Sequence, residues 1–412
     1  MDPQQPGPSP QPGPYSQPGQ PPPPPPHPGP YPPPGPHGEP VHYPPQQPPQ
    51  NPAQYPPPYP PQYPPPYPPQ YPPQYPPPYP QPYGGYPPAA YREPRIVPAP
   101  VGTPFHRLAR TPKHAWWRPV VGTLLLGALG FFVTSLVVVV WAIAHRLLAG
   151  PFPAPSGADI FPSDTENLAV TLVMLAVLTP LVGLTAWVVQ RRPFWSVASV
   201  LNRIRWRWLL WCCLLALGYI VLSLAMGFLV DAVFPPEDAI GASGGNWIGW
   251  SAFVVPALVI VVLVPFQSAA EEFVFRGWLI QAVGAYGPDE PNGRVRWLRT
   301  VFRSPWPGIV IGGAAFVSAH GYSGWAMADI FLFAVTVGWL TVRTGGLEAA
   351  IALHALNNLI AFLLPAATGR GDQWDVQGGA PWTLFVADIP CLAFYALAVA
   401  WLARRQEIAR LS

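Results

Sequence analysis

Charge is what this sequence has least of: 10% of its 412 residues are Asp, Glu, Lys or Arg, against 50% hydrophobic. A soluble domain needs more charge than that to cover its surface, which argues against a water-exposed globular fold. The net charge of +3 is too small to imply nucleic acid as a partner. Cysteine is scarce as well. Cys212, Cys213 and Cys391 all lie in apolar runs, and no two have metal-ligand spacing. An odd count in that setting excludes a disulfide framework and reads as small apolar packing residues. The start, Met1-Asp2-Pro3-Gln4, has neither the basic n-region nor the apolar h-region of a secretory signal. Membrane entry is therefore expected from an internal span.

What is present divides into two compositions. Residues 1–104 are built from Pro, Tyr, Gln and Gly, with short Tyr-Pro-Pro units repeated between 63 and 79. Proline at this density forms neither helix nor central strand. The expectation is a disordered, partly polyproline II cytoplasmic tail that acts as a spacer. The other role open to it is docking to a proline-recognition partner. Residues 115–405 are dominated by Leu, Val, Ala, Ile and Trp.

A bilayer core about 30 Å thick takes roughly 20 apolar residues in helix. Runs near 119–144, 167–189, 208–230, 251–275, 307–323, 326–342, 347–365 and 382–403 fit that length, the fifth and sixth being short. The predicted fold class is all-α: a polytopic membrane protein of about eight transmembrane helices, with the lipid bilayer as its surroundings. Charge in the loops alternates. Arg107, Arg110, Lys113 and Arg118 precede the first run, and Arg191, Arg192, Arg203, Arg205 and Arg207 lie between the second and third. Arg294, Arg296, Arg299 and Arg303 lie between the fourth and fifth, Arg343 follows the sixth, and Arg404, Arg405 and Arg410 follow the eighth. By contrast, 231–246 carries three acids and no Lys or Arg. Cytoplasmic loops collect Lys and Arg, which puts both termini in the cytoplasm and makes the number of spans even. In a bacterium the membrane would be the plasma membrane.

Ionisable groups inside such runs are costly and usually mark function. Three places carry them. Glu271-Glu272-Phe273-Val274-Phe275-Arg276 closes a run of apolar residues that begins at Ser251. From 251 to 286 a helix would be about 54 Å long, so the segment must tilt, break near Pro265 or extend into the cytoplasm. Glu272 and Arg276 are spaced i, i+4 and can pair. That leaves Glu271 without a local partner, and a desolvated, unpaired carboxylate suits a general base. Phe316 and His320 share a helix face after Gly312-Gly313, which permit close helix approach. His354 and Asn358, again i, i+4, lie in the seventh run. Taken singly, His320 reads better as a structural residue, and His354 reads equally well as a structural hydrogen-bonding group or a functional one. By simple counting, His320 lies deeper in the membrane than Glu271 and His354.

Glu-Glu-x-x-x-Arg, Phe-x-x-x-His and His-x-x-x-Asn, in that order, resemble the motifs of the CPBP intramembrane proteases, which include the type II CAAX prenyl endopeptidases and the Abi proteins. The resemblance covers about residues 165–403. It implies an endopeptidase that hydrolyses a peptide bond of a membrane-associated protein. Glu271 and His320 would activate the attacking water, His354 and Asn358 would stabilise the oxyanion, and Glu272 and Arg276 would orient the site. Glu271, His320 and His354 could also give three ligands to zinc, with a fourth position for water. The recognisable zinc helix, His-Glu-x-x-His, is absent, and a glutamate–histidine mechanism with no obligatory metal is preferred. The alternative reading is a non-enzymatic membrane scaffold or immunity-type protein that binds its partner through the same helix cavity. A transporter would show an inverted repeat or paired broken helices, and neither is visible.

The topology is directly testable. A reporter fused after Ser412 is expected to be active only on the cytoplasmic side. Labelling of that reporter from outside would refute the even number of spans.

Overall fold

The computed structural model describes residues 93–151, 160–235, 246–290, 296–371, 374 and 378–412. Most of the expected tail, residues 1–92, lies outside these. The described chain is almost entirely helical: α1 Trp117–Leu148, α2 Asp164–Ala176, α3 Leu178–Val188, α4 Trp206–Val233, α5 Trp250–Glu272, α6 Ile280–Gly284, α7 Arg296–Arg303, α8 Trp306–Ser318, α9 Gly324–Thr344, α10 Glu348–Ala367 and α11 Trp382–Arg405. A π-helical stretch, Phe273–Leu279, joins α5 to α6 without interruption.

Seven helical segments are long and apolar enough to cross a membrane: Trp117–Leu148, Asp164–Val188, Trp206–Val233, Trp250–Gly284, Gly324–Thr344, Glu348–Ala367 and Trp382–Arg405. They carry seven of the eight predicted runs, and the protein is an integral membrane protein of the helical kind. The exception is the fifth run. There α8 has 13 residues, about 20 Å of helix and short of a bilayer core. Beyond its end, Ser323 and Gly324 bridge in parallel to Gly379 and Ala380. Gly324 takes φ +56° there, a left-handed value that glycine adopts without strain. The segment 250–284 also departs from expectation. It does not break at Pro265; α5 runs through both Pro256 and Pro265.

The helices pack in one bundle. α5 lies between α2 and α10, α10 also meets α4, and α11 meets α4 and α9. α8 lies against α9 and the π-helical stretch. Trp208, Cys212, Phe316, Leu340, Leu353 and Tyr395 belong to one buried apolar cluster. The cysteines are free, with Cys212 and Cys391 buried, as apolar packing residues would be. Leu, Val, Phe and Trp side chains on the outer faces of α1, α4 and α5 are exposed, which is the arrangement expected where the surrounding solvent is lipid.

The composition boundary near 104 falls within an ordered strap. Val97 N donates to Arg191 O at 3.0 Å, Gly102 N donates to Ser412 O at 2.7 Å, and Ser412 N donates to Thr103 O at 3.1 Å. Phe105 is fully buried beneath it. At the same end of the bundle Arg205 grips Glu348, the first residue of α10, through Nε–Oε1 at 2.8 Å and Nη2–Oε2 at 2.7 Å. Arg205 Nη1 also donates to the carbonyls of Thr344 and Ala409. This bidentate pair ties the loop before α4 to α10 and to the C-terminal residues.

Removing one partner of a buried ion pair strands the other. Glu348→Ala is expected to lower stability by about 3–5 kcal/mol. Thermal unfolding in detergent would check this; an unchanged midpoint would mean the pair holds nothing together.

Candidate active site

The three motifs converge at the middle of the bundle. Glu271 and Glu272 close α5, Arg276 follows on the π-helical stretch, His320 lies just beyond α8, and His354 and Asn358 are on α10. A widened helical turn commonly accompanies functional positions, and here it follows the paired glutamates directly.

Glu272 is the anchor. It has no exposed side-chain surface, and its Oε1 accepts from Arg276 Nη1 at 2.9 Å and from His354 Nδ1 at 2.7 Å. The guanidinium of Arg276 lies over the Phe316 ring, 4.1 Å from its centroid. The expected i, i+4 pair is therefore made, and it also receives the histidine of α10.

Glu271 corrects the sequence reading in one respect: it does have a local partner. Gln267, one turn earlier, donates from Nε2 to Glu271 Oε1 at 2.7 Å. The other face of that amide accepts from Ser268 Oγ at 3.1 Å and from Asn358 Nδ2 at 3.3 Å. So Gln267 links Glu271 to Asn358 across two helices. Glu271 Oε2 remains buried with no hydrogen bond, and 3.4 Å away is His354 Nε2. With Nδ1–H donated to Glu272, a neutral His354 would present only a lone pair at Nε2. Two acceptors facing each other require a proton or a bridging water between them.

His320 donates Nδ1–H to Phe316 O at 2.8 Å, which leaves Nε2 as an acceptor in the neutral ring. The rings of His320 and His354 lie on either side of Phe316, with centroids 4.6 and 5.6 Å from it. Both histidines and Asn358 line one cavity of about 290 Å³. The depth mismatch counted from sequence does not keep His320 away, since it opens onto the same cavity as His354 and Asn358. Close approach of α8 depends on Gly312, where an added Cβ would lie 2.7 Å from Phe275 O.

The same cavity holds residues that the sequence reading passed over. Tyr219 Oη donates to Asp388 Oδ1 at 2.7 Å, and Asp329 Oδ1 is buried without a hydrogen bond among the described residues. A carboxylate inside each of the sixth and eighth runs was the signal available for them. Gln267 gave a weaker one: a neutral polar residue placed i−4 to Glu271.

Among the described residues, no three His, Cys, Asp or Glu side chains form a group that could hold a metal ion. His354 directs Nδ1 to Glu272 and His320 directs Nδ1 to a backbone carbonyl, an arrangement equally usual for a histidine that ligates through Nε2.

Carboxylate, imidazole and amide groups of the three motifs thus lie together inside a membrane-crossing helical bundle. Its central stretch is similar to the type II CAAX prenyl endopeptidases, a protease family. Residues 250–360 match the family model described as Type II CAAX prenyl endopeptidase Rce1-like, a stretch that contains all three motifs. The chain is also 26% identical, over 268 residues, to the uncharacterized protein YyaK of Bacillus subtilis strain 168; the alignment covers 64% of this chain and 81% of YyaK. No solved structure matches. The resemblance drawn from the three motifs is thus to the family the comparison names.

Gln267→Leu would leave Glu271 Oε1 and Asn358 without their partner. The expected loss is about 1–3 kcal/mol, read as a lowered unfolding midpoint of the purified protein. An unchanged midpoint would show that the bridge contributes nothing to the site's rigidity.

Proposed function

We propose that this protein is an intramembrane endopeptidase that hydrolyses a peptide bond of a membrane-associated protein with water activated by Glu271. The observation that carries the reading is the buried, unpartnered Glu271 Oε2 facing His354 Nε2 at 3.4 Å. A water held between them can lose its proton to the carboxylate as its oxygen attacks the substrate carbonyl carbon. The acceptor face of His320 orients that water. The oxyanion then formed needs donors, and Asn358 Nδ2 and a protonated His354 Nε2 can supply them. The proton on Glu271 passes to the leaving amine. Glu272 and Arg276 hold His354 in place and do not touch the reacting atoms.

Charge balance supports this scheme. Two buried carboxylates, Glu271 and Glu272, meet one guanidinium, Arg276; one further proton between Glu271 and His354 makes the group neutral. The scheme routes nothing through a metal. The orientation that fits the loop charges puts both termini in the cytoplasm, with substrates approaching from that side and the Pro-rich tail serving as a cytoplasmic arm.

Glu271→Gln keeps the shape of the side chain and removes its basicity. Cleavage is expected to fall roughly a hundred- to ten-thousand-fold while the protein still inserts and folds. Comparison of membrane-protein termini between wild-type and Glu271→Gln cells would identify substrates at the same time. Wild-type cleavage by the purified variant would rule out Glu271 as the base.

A further inference from the structure

A second concave site lies away from the glutamates, at the end of the bundle where the strap, the start of α1 and the chain between α6 and α8 meet. It is a cavity of about 660 Å³ lined by Arg107, Arg110, Arg303, His106, His114 and Asp289, among others. Three guanidinium groups and two imidazoles therefore share one acidic residue. Asp289 accepts from Arg107 Nη2 at 2.8 Å and from Arg110 Nη2 at 2.7 Å, yet its side chain is 72% exposed. Arg303 makes no side-chain hydrogen bond or ion pair among the described residues.

His106 is the most informative member. It is only 7% exposed, Nε2 donates to Arg303 O at 3.1 Å, and Nδ1 is buried with no partner. Burial and, after it, neighbouring positive charge both disfavour the protonated forms of these groups. Burial, then the charges of Arg110 and Arg303, push the Arg107 guanidinium below its usual range. Burial, and then the charge of Arg107, also hold His106 down against the bond to Arg303. Arg110 and Arg118 add to burial in lowering His114. An anion with several acceptor oxygens would relieve all of these at once, and guanidinium forks match phosphate in geometry.

We propose that this cavity is a phosphate-binding site, with Arg107, Arg110 and Arg303 as the charged donors and Asp289 as a resident competitor for the two bound arginines. The surroundings favour the phosphate of a lipid headgroup over a free one. Trp116 and Trp117 follow the lining residue His114 in sequence, Trp306 follows Arg303, and all three are exposed; exposed tryptophans collect at the level of the headgroups. The site stands independently of the peptidase reading, since it shares no residue with that chemistry.

The test is native mass spectrometry of the full chain in non-ionic detergent. It is titrated with phosphatidylglycerol, with inorganic phosphate, and with chloride at equal ionic strength. One or both phosphate-bearing probes are expected to bind above chloride, and which of them does identifies the source. Arg303→Gln is expected to weaken binding about tenfold, the worth of one charge-assisted hydrogen bond. Asp289→Asn, which removes the competitor, is expected to tighten it. The second substitution carries the test if the first does not fold, and its sign is opposite to that of mere loss of a structural clamp. No binding above chloride, binding indifferent to both substitutions, or weaker binding by Asp289→Asn would overturn the proposal.

Discussion

A carboxylate placed between lipid-facing helices must have its charge answered by the helices themselves, and in this protein that answer is Glu272. One of its oxygens receives both Arg276, from the widened turn that follows it, and His354, from α10. The contact joins two helices at the depth where water cannot help, which is where hydrogen bonds and ion pairs are strongest and their absence most costly. It also fixes which nitrogen of His354 is free to face Glu271. The proposed chemistry inherits its geometry from this one junction.

The rest of the bundle brings other groups to that junction. Gln267 turns Glu271 by holding one oxygen and leaves the other bare. Gly312 lets α8 approach the backbone at Phe275, so that Phe316 reaches Arg276 and both histidine rings. His320, just beyond the end of α8, opens onto the same cavity as His354.

Polar order at the basic end of the bundle follows a different rule. There the ion pairs bind segments distant in sequence: Arg205 to Glu348, and Arg107 and Arg110 to Asp289. The strap from Val97 to Phe105 and the last residues, up to Ser412, close against each other over this end. The first pair is almost wholly enclosed, with side-chain exposures of 9% and 0%. The second keeps its acid in the open, and the cavity's excess of positive charge comes from three arginines sharing that one acid.

Much of this was legible in the residues alone. A low charge content and runs of about 20 apolar residues dictate membrane helices, because the backbone must satisfy itself in lipid. The i, i+4 spacings put Glu272 with Arg276 and His354 with Asn358 on common faces, because the helix repeat admits no other arrangement. What stayed hidden depended on contacts between helices. That Gln267 spans from Glu271 to Asn358, that Asp329 and Asp388 open onto the same cavity as His320, and that the chain beyond α8 bridges to Gly379 and Ala380 are outcomes of how helices stack. Periodicity specifies which side of a helix a residue occupies. Only the packed bundle decides which neighbour that side meets, since depth and rotation are set by many small contacts at once.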